Sequence, residues 1–581
     1  MATRTIPTQG SLDNPTLTIK IDGTAISNSI GVMDMMVHRE FNRIPFARFK
    51  LVDGTADDRG FPLSSSSDFE PGKEVEIMAG YSFQENTIFK GIITRHRVRV
   101  DGSRSFLEIE ARDKAVAMTL VETDRFFRES SDADAWETII SEYSLESDIT
   151  GGKVEYPELV QYRVSDWDFI VSRAEANGKL VWVDDGKIYI TAPEDPEEAL
   201  LSLALGANLI SFDGEVDAMA LTPSVKATAW DPATQEVNEA DAAEPVFSPN
   251  GNFEAEKLAE SLSQPDEIIK LDDPLGAEAL QALADSRLLR QRLAMVRGTL
   301  SCVGFDTLKP ASWLELEGLG DRMNGDIYVT AVRHEFNAGR WIAQVQFGLD
   351  ATWFAEKIGA VASNANSARI TSTQGLSVGI VTALSDDPLG EGRVQVKLPT
   401  VDAEGEGLWA RLGSIAAGAD HGTFFQPEIG DEVVVGFLDG EANSPVILGA
   451  LYNGTNPPAI TASDDNFEQQ ILTKTGLKIY FNDEKKAVSI ETPGGHLLSL
   501  DDDAGECILS DSNGNEITLS SDGINLKSAK DLIIDAKGDV TIGGVNITAS
   551  AQAQAKLEGN AGAELSTSAV AVLKGSLVQI N

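Results

Sequence analysis

The chain has 581 residues, of which 42% are hydrophobic and 24% are charged, so we expect a soluble globular protein of several domains. Its 91 acidic and 47 basic residues give a net charge of −44. This negative charge argues against a protein that binds nucleic acids non-specifically and against one that docks on an anionic membrane surface. The two cysteines, Cys302 and Cys507, cannot build a disulfide framework or a metal cluster.

The first third of the chain changes from strand patterns to helix patterns. Residues 1–120 contain alternating runs such as TLTIKI and FLEIEA, which predict a first β-barrel with a hairpin turn at Asp101-Gly102. Residues 121–204 predict a helical and hairpin connecting region. Its first helix has Asp132 or Asp134 as N-cap, and its second begins at Ser165 and ends at Asn177-Gly178. A hairpin then turns at Asp185-Gly186.

The middle of the chain predicts a second barrel, a linker and a compact all-strand segment. Residues 205–358 read as a second barrel-like unit that carries two helices, NFEAEKLAESLSQ and GAEALQALADSRLLRQRLAMV. Residues 359–375 are small and polar and predict a linker. Residues 376–458 predict a run of short strands.

The tail, residues 459–581, repeats a pair of apolar residues separated by one residue, with turn-forming residues between pairs. A lone strand of this kind cannot cover its own apolar face, so the repeats must stack against something. The pairs are Ile517/Leu519, Ile524/Leu526, Leu532/Ile534, Val540/Ile542 and Val545/Ile547.

Signals for catalysis or metal binding are weak throughout. The five histidines are scattered, and the chain has no phosphate-binding loop, G-x-S-x-G or H-E-x-x-H motif. The segment DSNGNE at 511–516 begins like a calcium loop, but Glu516 and Asp522 stand where Gly and Glu are required. We therefore predict a tight turn there, no catalytic residues, no cofactor and no metal.

Residues 376–458 resemble the OB-fold domain of contractile-tail spike proteins, a family that includes VgrG proteins and phage tail-spike hubs. The resemblance rests on DDP with GRV at 386–394, WAR at 409–411, FQPEIGDEV at 425–433 and PVILGALYNG at 445–454. Residues 161–178, QYRVSDWDFIVSRAEANG, resemble a hub motif of the same family. The closing segment AELSTSAVAVLKGSLVQIN resembles the end of injection-system needles.

The resemblance implies a mainly β, multidomain fold: two hub β-barrels with helical insertions, an OB-fold barrel and a C-terminal trimeric triangular β-helix. It implies a structural central spike and hub of a contractile injection machine, joining a hexameric tube to a membrane-puncturing needle without catalysis. The apolar pairs of the tail, Ile517 to Ile547, would pack on the trimer axis with interchain backbone bonding at every layer.

Several partners follow from the resemblance. Inner-tube and baseplate proteins would meet the hub, and the target cell envelope would be contacted transiently. A PAAR-like tip protein would cap the needle end at Leu577, Val578, Gln579, Ile580 and Asn581. The chain start lacks the apolar core of a signal peptide, so we expect synthesis in the bacterial cytoplasm and incorporation in a phage tail-like particle.

Two alternatives remain open at this stage. Within the same architecture, the protein is a type VI secretion VgrG or a phage tail spike rather than the spike of an extracellular injection particle. A more remote alternative is a β-helical tail protein that binds or cleaves polysaccharide. That alternative needs a groove lined by aromatic residues or carboxylates, and the tail has only Phe467, Tyr480 and Phe481 as aromatic residues.

Overall fold

The computed structural model describes residues 14–54, 60–102, 104–193, 199–246, 250–271, 274–359, 375–401 and 405–580. The chain divides into two compact units, residues 1–457 and residues 458–581. Within the described ranges, no helix is both long enough and apolar enough to cross a membrane. The predicted linker at 359–375 lies almost entirely outside the described residues.

The first part of the hub is built mainly from β-strands, with short 3-10 helices at Ser67–Phe69 and Lys114–Thr119. Alternation sets their faces: in the segment FARFKLV, Ala47, Phe49 and Leu51 are buried while Arg48 is exposed on the opposite face. The strands are β1 (Pro15–Ile21), β2 (Thr24–Ala25), β3 (Val32–Glu40), β4 (Phe46–Val52), β5 (Glu74–Tyr81), β6 (Gln84–Asp101) and β7 (Arg104–Arg112).

The connecting region contains two helices that begin at serine caps. The prediction of Asp132 or Asp134 as first N-cap is wrong, because Ser131 holds that position. The Ser131 hydroxyl accepts the Asp134 N–H at 3.2 Å, and the Asp134 carboxylate accepts the Ser131 N–H in return. Ser165 caps the second helix as predicted. The elements are β8 (Glu122–Ser131), α1 (Asp132–Glu142), β9 (Glu146–Ile149), β10 (Glu155–Ser165), α2 (Asp166–Ala176), β11 (Leu180–Asp184) and β12 (Lys187–Thr191).

Two predicted hairpin turns are confirmed. Asp101 pairs with Arg104 at the end of β6, and Gly102 has a φ of +60°. Asp185 and Gly186 join β11 to β12 with φ values of +50° and +90°. In the second turn, positive φ at both central positions is the geometry that suits a two-residue hairpin, which is why the Asp-Gly pair predicted it.

The second part of the hub contains both predicted helices. Leu280, Leu283 and Leu288 of the longer helix join the core of a small sheet formed by three strands of this part. The elements are β13 (Leu201–Ala204), β14 (Leu209–Val216), β15 (Val225–Asp231), β16 (Glu236–Asp241), α3 (Ala255–Ser261), β17 (Glu267–Leu271), α4 (Ala277–Met295), β18 (Val296–Val303), β19 (Trp313–Glu317), β20 (Gly325–Asn337), β21 (Arg340–Phe347) and α5 (Phe354–Gly359).

The two parts of the hub share one sheet, which differs in this respect from the predicted pair of barrels. Strand β3 of the first part pairs antiparallel with β20 of the second, from Ala331↔Glu40 to Asn337↔Asp34. The order across the main path is β14-β18-β21-β20-β3-β4-β7-β6-β5-β1-β2. Pairing β3 with β20 satisfies backbone groups that two separate sheet edges would leave open.

The OB segment closes into a five-stranded barrel in the order β22-β23-β24-β28-β27. Val381, Val396 and Val435 lie in its core, which also receives Val160 from β10 of the hub. Its strands are β22 (Ser377–Ala383), β23 (Val394–Lys397), β24 (Leu408–Leu412), β25 (Ala417–Gly418), β26 (His421–Gly422), β27 (Glu432–Phe437) and β28 (Pro445–Leu451).

The second unit begins with seven strands that pair in chain order. They are β29 (Glu468–Leu472), β30 (Lys478–Asn482), β31 (Ala487–Glu491), β32 (Leu497–Asp501), β33 (Glu506–Ser510), β34 (Glu516–Ser520) and β35 (Gly523–Lys527).

Candidate assembly surface of the tail repeat

The seven tail strands form an antiparallel meander within one chain. Each strand has five residues, and each pairs with the next strand along the chain. The prediction of interchain backbone bonding at every layer is therefore wrong for residues 468–527, where the ladder bonds lie within the chain. Short connections explain the difference, since a tight turn brings successive strands side by side.

The register of the meander sorts its side chains onto two faces. Because partners across a ladder lie on the same face, the pairings align two rows of residues, all of them apolar except Gln469, which we call the apolar face. The first row is Gln469, Phe481, Val488, Leu500, Cys507, Leu519 and Ile524. The second row is Ile471, Ile479, Ile490, Leu498, Leu509, Ile517 and Leu526.

The opposite face of the meander is mostly polar, with Leu472, Leu497 and Ile508 as large apolar exceptions, and some of its polar side chains pair with one another. Lys478 forms an ion pair with Glu491 at 3.2 Å, and the Ser489 hydroxyl donates to the same carboxylate at 2.7 Å. The Tyr480 hydroxyl donates to Glu468, and Glu468 raises the pKa of Tyr480 through this hydrogen bond. This face can therefore remain exposed to solvent, whereas the apolar face is expected to be buried against another surface.

A single chain leaves the apolar face open. No described residue between 458 and 580 is buried. Leu509 is 52% exposed, Leu526 is 56% exposed and Ile524 is 73% exposed. Monomeric proteins rarely expose a contiguous apolar surface of this extent, so the apolar face is the candidate assembly surface of the tail.

Only some of the residues that were predicted to pack on the trimer axis lie together on one face in the structure. Ile517, Leu519, Ile524 and Leu526 lie on the apolar face. The later pairs lie past the last strand, in a described segment without regular pairing, and are exposed. Their exposures are Leu532 62%, Ile534 69%, Val540 57%, Ile542 72%, Val545 100% and Ile547 64%.

The predicted tip contacts are also exposed in the single chain. Leu577 is 82% exposed, Val578 is 50% exposed and Ile580 is 84% exposed, and Gln579 is exposed as well. Asn581 lies outside the described residues.

The first five strands of the apolar face lie within the predicted repeat region, but sequence reasoning did not name their apolar pairs. They carry the same apolar spacing as the predicted pairs, and the first strand begins with a polar residue in place of one apolar member. The pairs that could have been found from this signal are Gln469/Ile471, Ile479/Phe481, Val488/Ile490, Leu498/Leu500 and Cys507/Leu509.

The predicted tight turn at 511–516 is confirmed. The Asp511 carboxylate accepts the backbone N–H groups of Asn513 and Asn515, both at 2.9 Å. These bonds, with those from the two asparagine side chains, hold the Asp511 pKa well below its usual value. The Asn515 side-chain oxygen accepts the Ala529 N–H at 2.9 Å, which fastens the chain after the last strand. Among the described residues, no group of three or more His, Cys, Asp or Glu side chains is placed to hold a metal ion.

The OB barrel carries a second exposed apolar surface. Leu376 is 66% exposed and Leu448 is 57% exposed, and both lie beside Gly436. A Cβ at Gly436 would be 3.3 Å from Leu448 and 3.5 Å from Leu376, so glycine keeps this part of the surface flat. Phe424 and Phe425, which follow the β25–β26 hairpin, are 79% and 63% exposed.

Comparison with known proteins places these features in a family. The model described as Alg8 N-terminal domain matches residues 11–338, more than half of the chain. The model of the Type VI secretion system/phage-baseplate injector OB domain matches residues 377–452. The chain is similar to VgrG spike proteins in its OB segment and in its fold. The chain belongs to the Alg8 N-terminal domain family.

Relatives in sequence match short parts of longer proteins. Type VI secretion system spike protein VgrG2a of Pseudomonas aeruginosa is 38% identical over 88 residues, which is 14% of this chain and 10% of that protein. Actin cross-linking toxin VgrG1 of Vibrio cholerae is 26% identical over 178 residues, which is 29% of this chain and 16% of the toxin. The matches thus take in less than a fifth of either relative.

Solved structures share the fold over most of the chain. In the lidded Francisella PdpA–VgrG complex, the match covers 89% of this chain and 81% of the other, with a TM-score of 0.54 and 10% identity. In the lidless complex it covers 89% and 99%, with a TM-score of 0.52 and 11% identity. At this level of identity, the likeness shows the fold alone.

Proposed function

We propose that the protein is the homotrimeric central spike and hub of a contractile injection machine. The observation that carries the proposal is the apolar face of the tail, where two rows of seven side chains lie aligned and half-exposed. The hub and OB barrel, in contrast, have closed cores within one chain. A tail that completes its core only with other chains is an assembly element.

Three copies cover the apolar face in a way that suits a needle. Each meander turns its apolar rows towards a common axis and its polar face towards water. The unpaired segment after β35 then exchanges backbone hydrogen bonds between chains, because its peptide groups need partners and its own chain supplies no strand ladder there.

We propose one set of partners for the hub and another for the end of the tail. Inner-tube and baseplate proteins meet the hub, whose two parts share one sheet in each chain, so that three chains supply six such parts. A PAAR-like tip protein caps the exposed apolar residues Leu577, Val578 and Ile580. The needle acts mechanically on the target envelope, so the proposal requires no catalytic step.

The proposed location follows from the same assembly. The protein is made in the bacterial cytoplasm and incorporated in a phage tail-like particle. Of the three related systems, we favour an extracellular injection particle over a type VI apparatus or a phage, because AQAQAKLEGNAGAELS near the end resembles the needle of such particles.

The mass of the purified protein in solution tests the proposal. Light scattering should give about 187 kDa, three times the chain mass of 62.2 kDa. The complex should also resist dissociation by detergent at room temperature, because separating three intertwined tails requires unfolding them. A stable monomer would contradict the proposal, and so would a dimer of about 124 kDa, twice 62.2 kDa, which would indicate a two-sheet sandwich.

A further inference from the structure

One face of the hub sheet reverses the charge balance of the chain. In the middle of this face, strands β20, β3, β4, β7 and β6 present seven basic side chains and five carboxylates, and the end of the β6–β7 hairpin adds Arg104 and Asp101, one charge of each sign. The whole chain, by contrast, has 47 basic and 91 acidic residues. The basic side chains are Arg48, Lys50, Arg95, Arg97, Arg99, Arg112 and Arg333. The carboxylates are Asp34, Glu40, Glu108, Glu110 and Glu335. We call this face the basic trough.

Two carboxylates lie at the bottom of the basic trough, and each of them is close to more than one basic side chain. The Glu110 side chain is only 10% exposed and lies 2.9 Å from Arg48 and 3.0 Å from Arg112, whose side chains are 55% and 39% exposed. These two arginines lower the pKa of Glu110 against the effect of its burial. Glu108 lies within 4 Å of three cations: Lys50 at 3.7 Å, Arg97 at 3.6 Å and Arg99 at 3.9 Å. Two carboxylates thus face five cations, and the excess positive charge is at the surface.

The basic trough is concave, and one side of it is lined by uncharged polar side chains. A cavity of about 620 Å³ lies over the sheet between Arg48 and Arg333 on one side and a set of hydroxyl and amide side chains on the other. A second depression of about 280 Å³ shares Arg48 and reaches Arg95 and Arg97. The hydroxyl and amide side chains are Ser211, Thr299, Ser301, Gln344 and Gln346.

We propose that the basic trough binds an extended acidic segment of a partner polypeptide. Cations attract its carboxylates, while hydroxyl and amide groups both donate to and accept from a peptide backbone. The seven strands from β18 to β6 span about 29 Å at ~4.8 Å per step, which is the length of about nine extended residues. A nucleic acid fits less well, because it carries a charge on every nucleotide, whereas an acidic segment with polar residues between its carboxylates can place those polar residues beside Glu108 and Glu110.

The test measures binding of two probes to the full-length protein by fluorescence anisotropy. The first is a labelled peptide of about ten residues that alternates Glu and Ser, and the second is a labelled single-stranded DNA of about ten nucleotides. We expect the peptide to bind at low salt and to weaken as salt rises. The double variant Arg95→Glu/Arg97→Glu should weaken peptide binding at least about tenfold, because two attractive contacts become repulsive.

The matched control is Lys257→Glu/Lys270→Glu, which changes the net charge equally on exposed side chains outside the trough. It should retain peptide binding within about twofold, since screened charges far from a ligand contribute little. Equal loss in both variants would overturn the proposal, because overall charge would then explain the binding. Tighter binding of the DNA than of the peptide would also overturn it, as would no peptide binding at low salt.

Discussion

Arg173 of α2 and Asp132 of α1 form a buried, two-bonded ion pair that joins the two helices of the hub. The Arg173 Nε lies 2.6 Å from Asp132 Oδ1, and an Nη lies 2.9 Å from Oδ2. The two side chains are 9% and 0% exposed. Asn177 donates a further hydrogen bond to Asp132 at 2.9 Å, so the carboxylate is fully engaged.

Replacing Arg173 by Met should destabilise the hub by about 3–5 kcal/mol, because Asp132 would remain buried without its counter-charge. The double variant Arg173→Met/Asp132→Asn should recover more than half of that loss. Urea unfolding followed by tryptophan fluorescence measures both. Arg163→Met removes an exposed arginine of strand β10, which precedes α2, and is the control. If the double variant were as unstable as Arg173→Met alone, the loss of stability would not come from the unpaired charge of Asp132, and the prediction would be wrong.

Glu158 of β10 should make stability depend on pH. Burial raises its pKa to about 7, although Arg128, 3.8 Å away, acts in the opposite direction. The folded protein therefore holds a proton that the unfolded chain releases near pH 4.5. The free energy of unfolding should fall by up to about 3 kcal/mol as pH rises from 4.5 to 7 and then level off.

The variant Glu158→Gln should lose that dependence, since the amide is neutral at every pH. It should be more stable than the parent at pH 8 and similar to it at pH 4.5. Glu155→Gln, on an exposed position of the same strand, should keep the parent profile. Thermal unfolding across this pH range gives the comparison, and parallel profiles of parent and Glu158→Gln would refute the assignment.

Asp387 should stabilise the rim of the OB barrel. Its carboxylate pairs with Arg393 at 2.7 Å and accepts the backbone N–H groups of Leu389 and Glu391. These bonds lower its pKa to about 2 against the effect of burial, so its contribution is present above about pH 4 and is lost as pH falls through 2. Asp387→Asn should cost about 1–3 kcal/mol at pH 7, and the exposed neighbour Asp386→Asn should cost little. Amide hydrogen exchange in the barrel measures the difference.

Ile524→Asp should weaken assembly of the tail, because it places a charge in the first apolar row. The matched control is Asn525→Asp, which adds the same charge at the next residue, on the polar face. Light scattering at decreasing protein concentration should show early dissociation of Ile524→Asp only. If Ile524→Asp assembled and resisted heat like the parent, the apolar face would not be the buried surface.

Cys507 provides a probe of the same surface without mutation. It lies in the apolar row between Leu500 and Leu519, so assembly should shield it from a thiol reagent such as Ellman's reagent. One thiol per chain should become reactive in Ile524→Asp. Cys302 is the internal control, because it is buried in the hub and burial raises its pKa to about 12, which suppresses the reactive thiolate. Rapid reaction of Cys507 in the parent would contradict the proposed packing.

Local patterns in the sequence determined much of this protein. The Asp-Gly turns, the Ser165 cap, the helices α3 and α4 and the apolar pairs of the tail depend on neighbouring residues, and each could be predicted. The Ser131 cap was missed although its capping box with Asp134 is also local. Recognition of the OB segment likewise depended on residues within one stretch of chain.

Only the tertiary structure decided which distant segments meet. The pairing of β3 with β20 joins Glu40 to Ala331, and the basic trough gathers side chains from Asp34 to Gln346. The apolar face of the tail also depends on strand register. An apolar pair in the sequence predicts a strand, but Cys507 and Leu519 come to lie side by side only when their strands pair. Periodicity is a property of one segment, whereas register, shared sheets and buried ion pairs are set by contacts between segments, which no local pattern encodes.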